Sequence, residues 1–227
     1  MKVKLVSYSA PTEEMIDNGI DDVQELIAFC SRVSNPSNQF NTETSEKLIR
    51  YLIKHKHWSP LEMTSACLEI ETTRDIARQI LRHRSFSFQE FSQRYADPTK
   101  DLDFILREAR LQDTKNRQNS IEIDLNDPTH AKIAYGWENL QNDIIQRVKS
   151  AYTWAIENGI AKEQARAILP EGNTVSRMYM NGTLRSWIHF IELRSGNGTQ
   201  KEHMEVAREC AKVIAEIFPM ANEFVQK

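Results

Sequence analysis

Residues 82–95 read RHRSFSFQEFSQRY: three arginines and a histidine among four aromatic residues and three serines, with Glu90 as the one acid. A guanidinium is a planar fork of donors that grips phosphate or carboxylate through two parallel bonds. If Arg82, Arg84 and Arg94 converge, they make a site for a phosphorylated ligand, to which Ser85, Ser87 and Ser92 add hydroxyl donors. Phe86, Phe88, Phe91 and Tyr95 can stack on a planar ring or enter the core. Three chemistries stay open on these residues alone: a solvated loop anchored by its aromatics, a phosphate site, and a stacking platform for single-stranded nucleic acid. A net charge of −3, from 29 Lys and Arg against 32 Asp and Glu, weighs against the last, because a general nucleic-acid or membrane-surface binder carries a basic excess.

Such a stretch needs a scaffold. A chain of 227 residues, 40% hydrophobic and 27% charged, has the makeup of an ordinary globular protein. At this size about 70–75% of the unfolded surface can be buried. KVKLVSY alternates like a strand, and so does LEMTSACLEIETT, with Thr64, Ala66, Leu68 and Ile70 on one side. DDVQELIAFCSRVS and TSEKLIRYLIKHKH have helical spacing, the second with Leu48, Tyr51 and Leu52 on one face. TTRDIARQILRHR predicts a helix with Thr73 as N-cap, delivering the arginine stretch at its C-terminal end. Residues 97–126 are polar, and NRQNS within them reads as a loop. A long helix runs from Pro128 to Asn158 with Gly159 as its stop. Its stripe Trp137, Leu140, Ile144, Val148 and Ala151 is read as core in preference to a subunit contact. AKEQARAILP, GTLRSWIHFIELR and TQKEHMEVARECAKVIAEIF give three more helices. Without a repeat or a linker rich in Pro, Gly or Ser, residues 1–227 are expected to form a single domain. Its class is α+β, with a small central, mostly antiparallel sheet flanked by long helices.

Cys30, Cys67 and Cys210 lie far apart, with no zinc spacing, and read as reduced thiols in a reducing compartment. The opening MKVKLVSYSA is too short and polar for a signal peptide, and no apolar run approaches the ~20 residues that span a bilayer. A cytoplasmic protein without membrane or nucleic-acid partners, and without a metal, is the expectation.

RHRSFSFQEFS also matches R-H-R-x7-S, the signature of the flavin-dependent thymidylate synthases, and the chain resembles that family along most of its length. SRVSNP, KHKHWSPLE, ARQILRHR, KEQARAILP and LRSWIHFIELR resemble family landmarks in the same order. The family often has histidine where this chain has Met63, and SGNGTQ occupies a stretch that can hold another histidine.

The resemblance implies an FAD-dependent methyltransferase that makes dTMP from dUMP. It would take the carbon from methylenetetrahydrofolate and reducing equivalents from NADPH, as a homotetramer with sites shared between subunits. It implies FAD contacts from Ser34, His57, Ser59, Glu62, Arg82, His83, Arg84, Ser87, Glu90, Arg185 and His189. It implies dUMP contacts from Gln79, Arg82, Glu90, Ser92, Gln93, Arg94, Arg166 and Arg194. Arg194 and Ser92 are the candidate catalytic residues, Arg194 to stabilise charge on the pyrimidine. Ser92 is read as a hydroxyl that positions ligand, since a serine nucleophile needs a base and nearness of His83 in sequence is not triad geometry. No cysteine adjoins the arginine stretch, so cysteine catalysis is not expected.

Overall fold

The alternating KVKLVSY forms strand β1 (Lys2–Tyr8), followed by the short helix α1 (Glu13–Asp17). Helix α2 (Val23–Ser31) starts at a capping box in which Asp22 and Glu25 satisfy each other's free backbone N–H groups. Helix α3 (Ser45–Lys54) buries Ile49 and Leu52 but leaves Tyr51 53% exposed. The expected face of α3 is corrected accordingly: the Tyr51 ring turns outward onto His55, four residues on, with ring centroids 4.2 Å apart. Strand β2 (Ser65–Thr73) runs straight into helix α4 (Arg74–Ile80), and β3 (Ser87–Glu90) follows. Next come α5 (Pro98–Asp101), the hairpin β4 (Arg110–Gln112) and β5 (Ser120–Glu122), the long α6 (Pro128–Glu157) and α7 (Lys162–Ala165). Strand β6 (Val175–Thr183) runs directly into α8 (Leu184–Arg194), and α9 (Lys201–Ile214) closes the fold. This computed structural model describes residues 1–226.

The main sheet has the order β1-β2-β6-β3, and every neighbouring pair is antiparallel. Ala66, Leu68 and Ile70 of β2, with Met178 and Met180 of β6, enter one core with Ile76, Ile80, Trp187, Phe190, Ile191, Val206 and Ile214 of the helices. Alternate residues such as Glu69, Glu71, Arg177 and Tyr179 lie on the opposite face and pair there, Arg177 Nε donating to Glu71 at 2.8 Å. Burying a side chain like Phe190 or Ile191 stabilises the fold by roughly 1.5–3 kcal/mol. The Trp187 indole satisfies its one donor on the Ala66 carbonyl at 3.0 Å.

The fold class is as expected from the sequence, but three sheet elements are additional. Residues 175–183 form a central strand, and the helix read from Gly182 begins at Leu184. Methionines, an asparagine and a glycine give VSRMYMNGT little intrinsic strand preference, so its pairing on both edges decides the matter. Strand β3, inside the arginine–aromatic stretch, and the β4–β5 hairpin, in polar sequence, are likewise additional, with the loop residues of NRQNS turning the hairpin and its serine opening β5. Along α6 the buried positions are Gln141, Ile145, Tyr152 and Ala155, whereas Trp137, Leu140 and Ile144 are 43%, 60% and 48% exposed. The core assignment is therefore corrected for Trp137, Leu140 and Ile144, which lie off the face that packs, whereas Val148 packs on the cluster of Tyr152, Ala155, Ala165 and Leu169 as expected.

Gly182, near the end of β6, decides where the arginine stretch sits. A Cβ there would lie 2.4 Å from Cδ1 of Phe86, whose buried ring packs against Trp187 and Phe190. Gly182→Ala is expected to destabilise the protein by about 1–3 kcal/mol, as overpacking of a filled core does. Chemical denaturation checks this, and an unchanged midpoint would show that Phe86 moves freely and does not anchor the stretch.

Candidate active site

Helix α4 tightens as it ends. Leu81 N–H bonds Ala77 C=O at 2.9 Å, while His83 N–H reaches back only to Ile80 C=O at 3.0 Å. The resulting turn sends successive side chains to opposite sides. Arg82 and Arg84 are exposed and carry no ion pair among the described residues, whereas His83 points inward. The His83 ring meets Phe190 edge-on at 5.0 Å and Phe86 at 6.5 Å. Its Nε2 accepts a hydrogen bond from Arg194 Nε at 2.9 Å, joining the end of α4 to the end of α8. Arginine has no lone pair to give, so His83 must be neutral with its proton on Nδ1. Burial, and then the Arg194 and His189 charges, push His83 down to about 4, in accord with that state. Among the described residues the terminal nitrogens of Arg194 have no hydrogen-bond partner.

Gln79 lies on the same last turn of α4, with its Oε1 3.2 Å from Nδ1 of the buried His203 on α9. The His203 ring stands 6.3 Å from that of His83. Gln79, His83 and Arg194 thus belong to one neighbourhood.

Glu90, Ser92, Gln93, Arg94 and Arg166 gather at a second place. Glu90 accepts from Ser176 Oγ at 2.7 Å and pairs with Arg74 at 3.5 Å. Arg94 pairs with the Glu163 carboxylate at 3.5 Å, and Arg166 Nε donates to the Glu163 carbonyl at 3.3 Å. Arg78 and Arg74 both approach Glu171. Gln93 is buried, and Ser92 Oγ accepts from the Arg94 backbone N–H at 3.4 Å with no histidine bonded to it, so no base activates that hydroxyl. No hydrogen bond or ion pair among the described residues links this cluster to Arg194. Arg74 and Arg78 were not anticipated, although arginines at i,i+4 after the Thr73 cap had to share a face. Thr73 itself caps by backbone only; its hydroxyl bonds Asp75 and accepts from Arg107 at 2.5 Å.

A third group lines a cleft of about 440 Å³ bounded by Trp58, Glu62, Ser85, Arg185, Ser186, His189 and Glu192. Arg185, His189 and Glu192 fall on one stripe of α8, and Arg185 pairs with Glu62. Trp58, Ser186 and Glu192 were missed; the i, i+4, i+7 spacing from Arg185 would have found Glu192. His57 is exposed just past α3, where Lys56 closes the helix in the left-handed conformation at φ 59° and His57 N–H returns to Leu52 C=O at 2.8 Å. Ser59 lies exposed in the 3-10 turn Ser59–Glu62, Ser34 in the turn after α2, and Ser87 on β3; none of the three has a side-chain partner among the described residues.

The residues fit an anionic aromatic cofactor such as a flavin nucleotide. A tryptophan-walled cleft takes a ring system. The unpaired guanidinium groups of Arg82 and Arg84, on the turn that carries Ser85 to the cleft, suit a pyrophosphate. The thiols do not fit nucleophilic work. Burial pushes Cys30, Cys67 and Cys210 all upward, Cys210 most. Among the described residues no cluster of His, Cys, Asp and Glu could hold a metal, and no helix is long and apolar enough to cross a membrane.

The profile of the thymidylate synthase complementing protein family matches residues 14–220. A probable flavin-dependent thymidylate synthase of Paramecium bursaria Chlorella virus 1 is 46% identical over 220 residues, 96% of either chain. The flavin-dependent thymidylate synthase of a Synechocystis species is similar to the same degree, 46% identical with 96% of each covered. Among solved structures, a UMP/dUMP methylase from Streptomyces cacaoi, bound with 5-Br dUMP, superposes with a TM-score of 0.75. The superposition covers 98% of this chain and 93% of that one at 24% identity, a likeness of fold. A match that spans strands β2, β3 and β6, helices α4 and α8 and the arginine turn leaves one conclusion: this chain belongs to the thymidylate synthase complementing protein family, the flavin-dependent thymidylate synthases.

Proposed function

We propose that the chain catalyses the reductive methylation of dUMP to dTMP, with methylenetetrahydrofolate as carbon donor and NADPH as reductant through FAD. The observation that carries this reading is the Arg194–His83 hydrogen bond, which puts a guanidinium with free terminal donors beside the cationic turn. Family membership and the 46% identical relatives support it.

In this reading Ser34, His57, Ser59, Glu62, Arg82, His83, Arg84, Ser87, Glu90, Arg185 and His189 hold FAD. Gln79, Arg82, Glu90, Ser92, Gln93, Arg94, Arg166 and Arg194 hold dUMP. When bound, FAD supplies the hydride chemistry that no side chain of the protein offers. The Arg194 terminal nitrogens donate to a pyrimidine carbonyl and stabilise the enolate-like charge that develops when C5 becomes nucleophilic. Neutral His83 orients Arg194 and is not an acid. The Ser92 hydroxyl positions the nucleotide.

The reading also takes residues 1–227 as one catalytic unit, working as a cytoplasmic homotetramer with sites shared between subunits. Two features support sharing: the candidate nucleotide residues form two separate groups within one chain, and Trp137, Leu140 and Ile144 stand exposed on α6.

Arg194→Ala should lower dTMP formation by about 100- to 1,000-fold, the scale of losing a transition-state donor, while FAD stays bound. Arg194→Lys should fare little better, because one ammonium cannot serve His83 and the pyrimidine together. Near-normal turnover in an assay with methylenetetrahydrofolate and NADPH would remove Arg194 from the mechanism.

The neutral histidines also predict an acid limb in stability. His83 and His203 are held down to about 4 and about 3 from an ordinary 6.5, burial being the main cause in both. Between pH 6.5 and 4 the unfolded chain therefore binds protons that the folded one refuses. Stability is full above 6.5 and falls as pH is lowered through that window. His83→Asn retains an acceptor for Arg194 but does not titrate. It should cut the slope between pH 6.5 and 5 to about half in urea melts, since one of two such groups is removed; an unaltered slope would contradict a neutral His83.

A further inference from the structure

Glu202, Gln200 and His203, three side chains outside the assigned set, form with Gln79 a line of fixed polarity that runs through a residue assigned to the nucleotide. Glu202, at the start of α9, is bound by Arg110 at 2.5 Å and Arg107 at 3.1 Å, so it is an ionised acceptor. An ionised carboxylate can only accept. The group of Gln200 that lies 3.0 Å from Glu202 Oε2 must therefore be its NH2, leaving the Gln200 oxygen for the next partner. That partner is Gln79, 2.8 Å away, which must turn its own NH2 toward Gln200. Its Oε1 is thereby left toward His203 Nδ1 at 3.2 Å, and Nδ1 must carry the proton. A free carboxamide can flip and offer either end to a ligand. Here neither flip is open, because each one would set acceptor against acceptor along the line.

One N–H of Gln79 remains without a partner among the described residues, and it lies one helical step from Arg82. Nε2 of His203 is buried without a partner among the described residues, which costs less for the lone pair of a ring protonated on Nδ1 than it would for an N–H. We propose that His203 and Gln200 are positioning residues that lock the Gln79 carboxamide, so that Gln79 presents a single obligate donor to an oxygen of the nucleotide. The proposal rests on the reading of Gln79 as a dUMP contact, and it explains how a flexible amide discriminates in favour of an acceptor. Glu202, Arg107 and Arg110 set the direction of the line, and through Arg110 they tie it to the β4–β5 hairpin.

Two experiments test this, one with nucleotide and one without. In calorimetric titration with dUMP, His203→Phe should weaken affinity about tenfold in the FAD-loaded protein, the scale of one misdirected hydrogen bond. In a Gln79→Ala background the same change should cost less than about twofold, since coupled residues are non-additive. Gln200→Ala, at an exposed position that does not endanger folding, should show the same cancellation. Equal losses in both backgrounds, or no loss, would overturn the proposal in favour of a merely structural His203. Ring ¹⁵N NMR of histidine-labelled protein reads the lock without ligand: the His203 proton should sit on Nδ1 and shift in Gln79→Ala. A proton on Nε2 would overturn the lock, whereas a wild-type protein with the Nδ1 proton that binds no dUMP would instead overturn the assignment of Gln79 to the nucleotide and, with it, the donor role proposed here.

Discussion

The candidate site depends on a hydrogen bond that can form only if one imidazole stays neutral. Arg194 Nε–H needs a lone pair, and His83 Nε2 supplies it at 2.9 Å. A protonated ring there would set two cations against each other. The aromatic nest of Phe86, Phe190 and Trp187 removes water from the ring and so penalises its charged form. The core residues that give the fold its stability thus also set the protonation state of the site. The nest has its own precondition in Gly182, whose missing side chain leaves room for Phe86.

Two strand-to-helix units place the partners. Strands β2 and β6 lie side by side, and each ends in a threonine that opens the following helix. The two helices therefore leave opposite ends of the central strand pair and bring their C-terminal turns together, Gln79 and His83 on one and Arg194 on the other. On the outward side of the same turn, Arg82 and Arg84 are exposed and pair with no acid among the described residues. Several other arginines are matched closely, as Arg107 and Arg110 are on Glu202 and Arg177 is on Glu71. Two unmatched guanidinium groups on one turn, in a protein of net charge −3, support the reading of that turn as the place for anionic ligands.

Much of this was legible in the sequence because local chemistry and global fold agree there. The R-H-R-x7-S spacing singled out the turn, Pro128 and Gly159 bounded α6, and alternation in β2 assigned its faces. Strand β6 was not legible, because its order comes from β2 and β3, far away in the chain, rather than from its own side chains. The stripe of α6 was misassigned because several apolar residues of that helix face outward, so hydrophobicity alone could not choose between two adjacent faces. His203 and Gln200 were invisible for a related reason. A histidine among Val206, Ala207 and Cys210 on α9 has no motif to mark it, and only the fold shows that it faces Gln79.

The most direct measurement is the visible absorption spectrum of the purified protein, recorded with FAD and then titrated with dUMP. If one turn of chain holds both ligands through His83 and Arg194, the protein binds FAD and its flavin bands shift as dUMP is added, to a saturating limit. A protein that takes up no FAD in excess, or whose flavin bands do not respond to dUMP, would contradict the account.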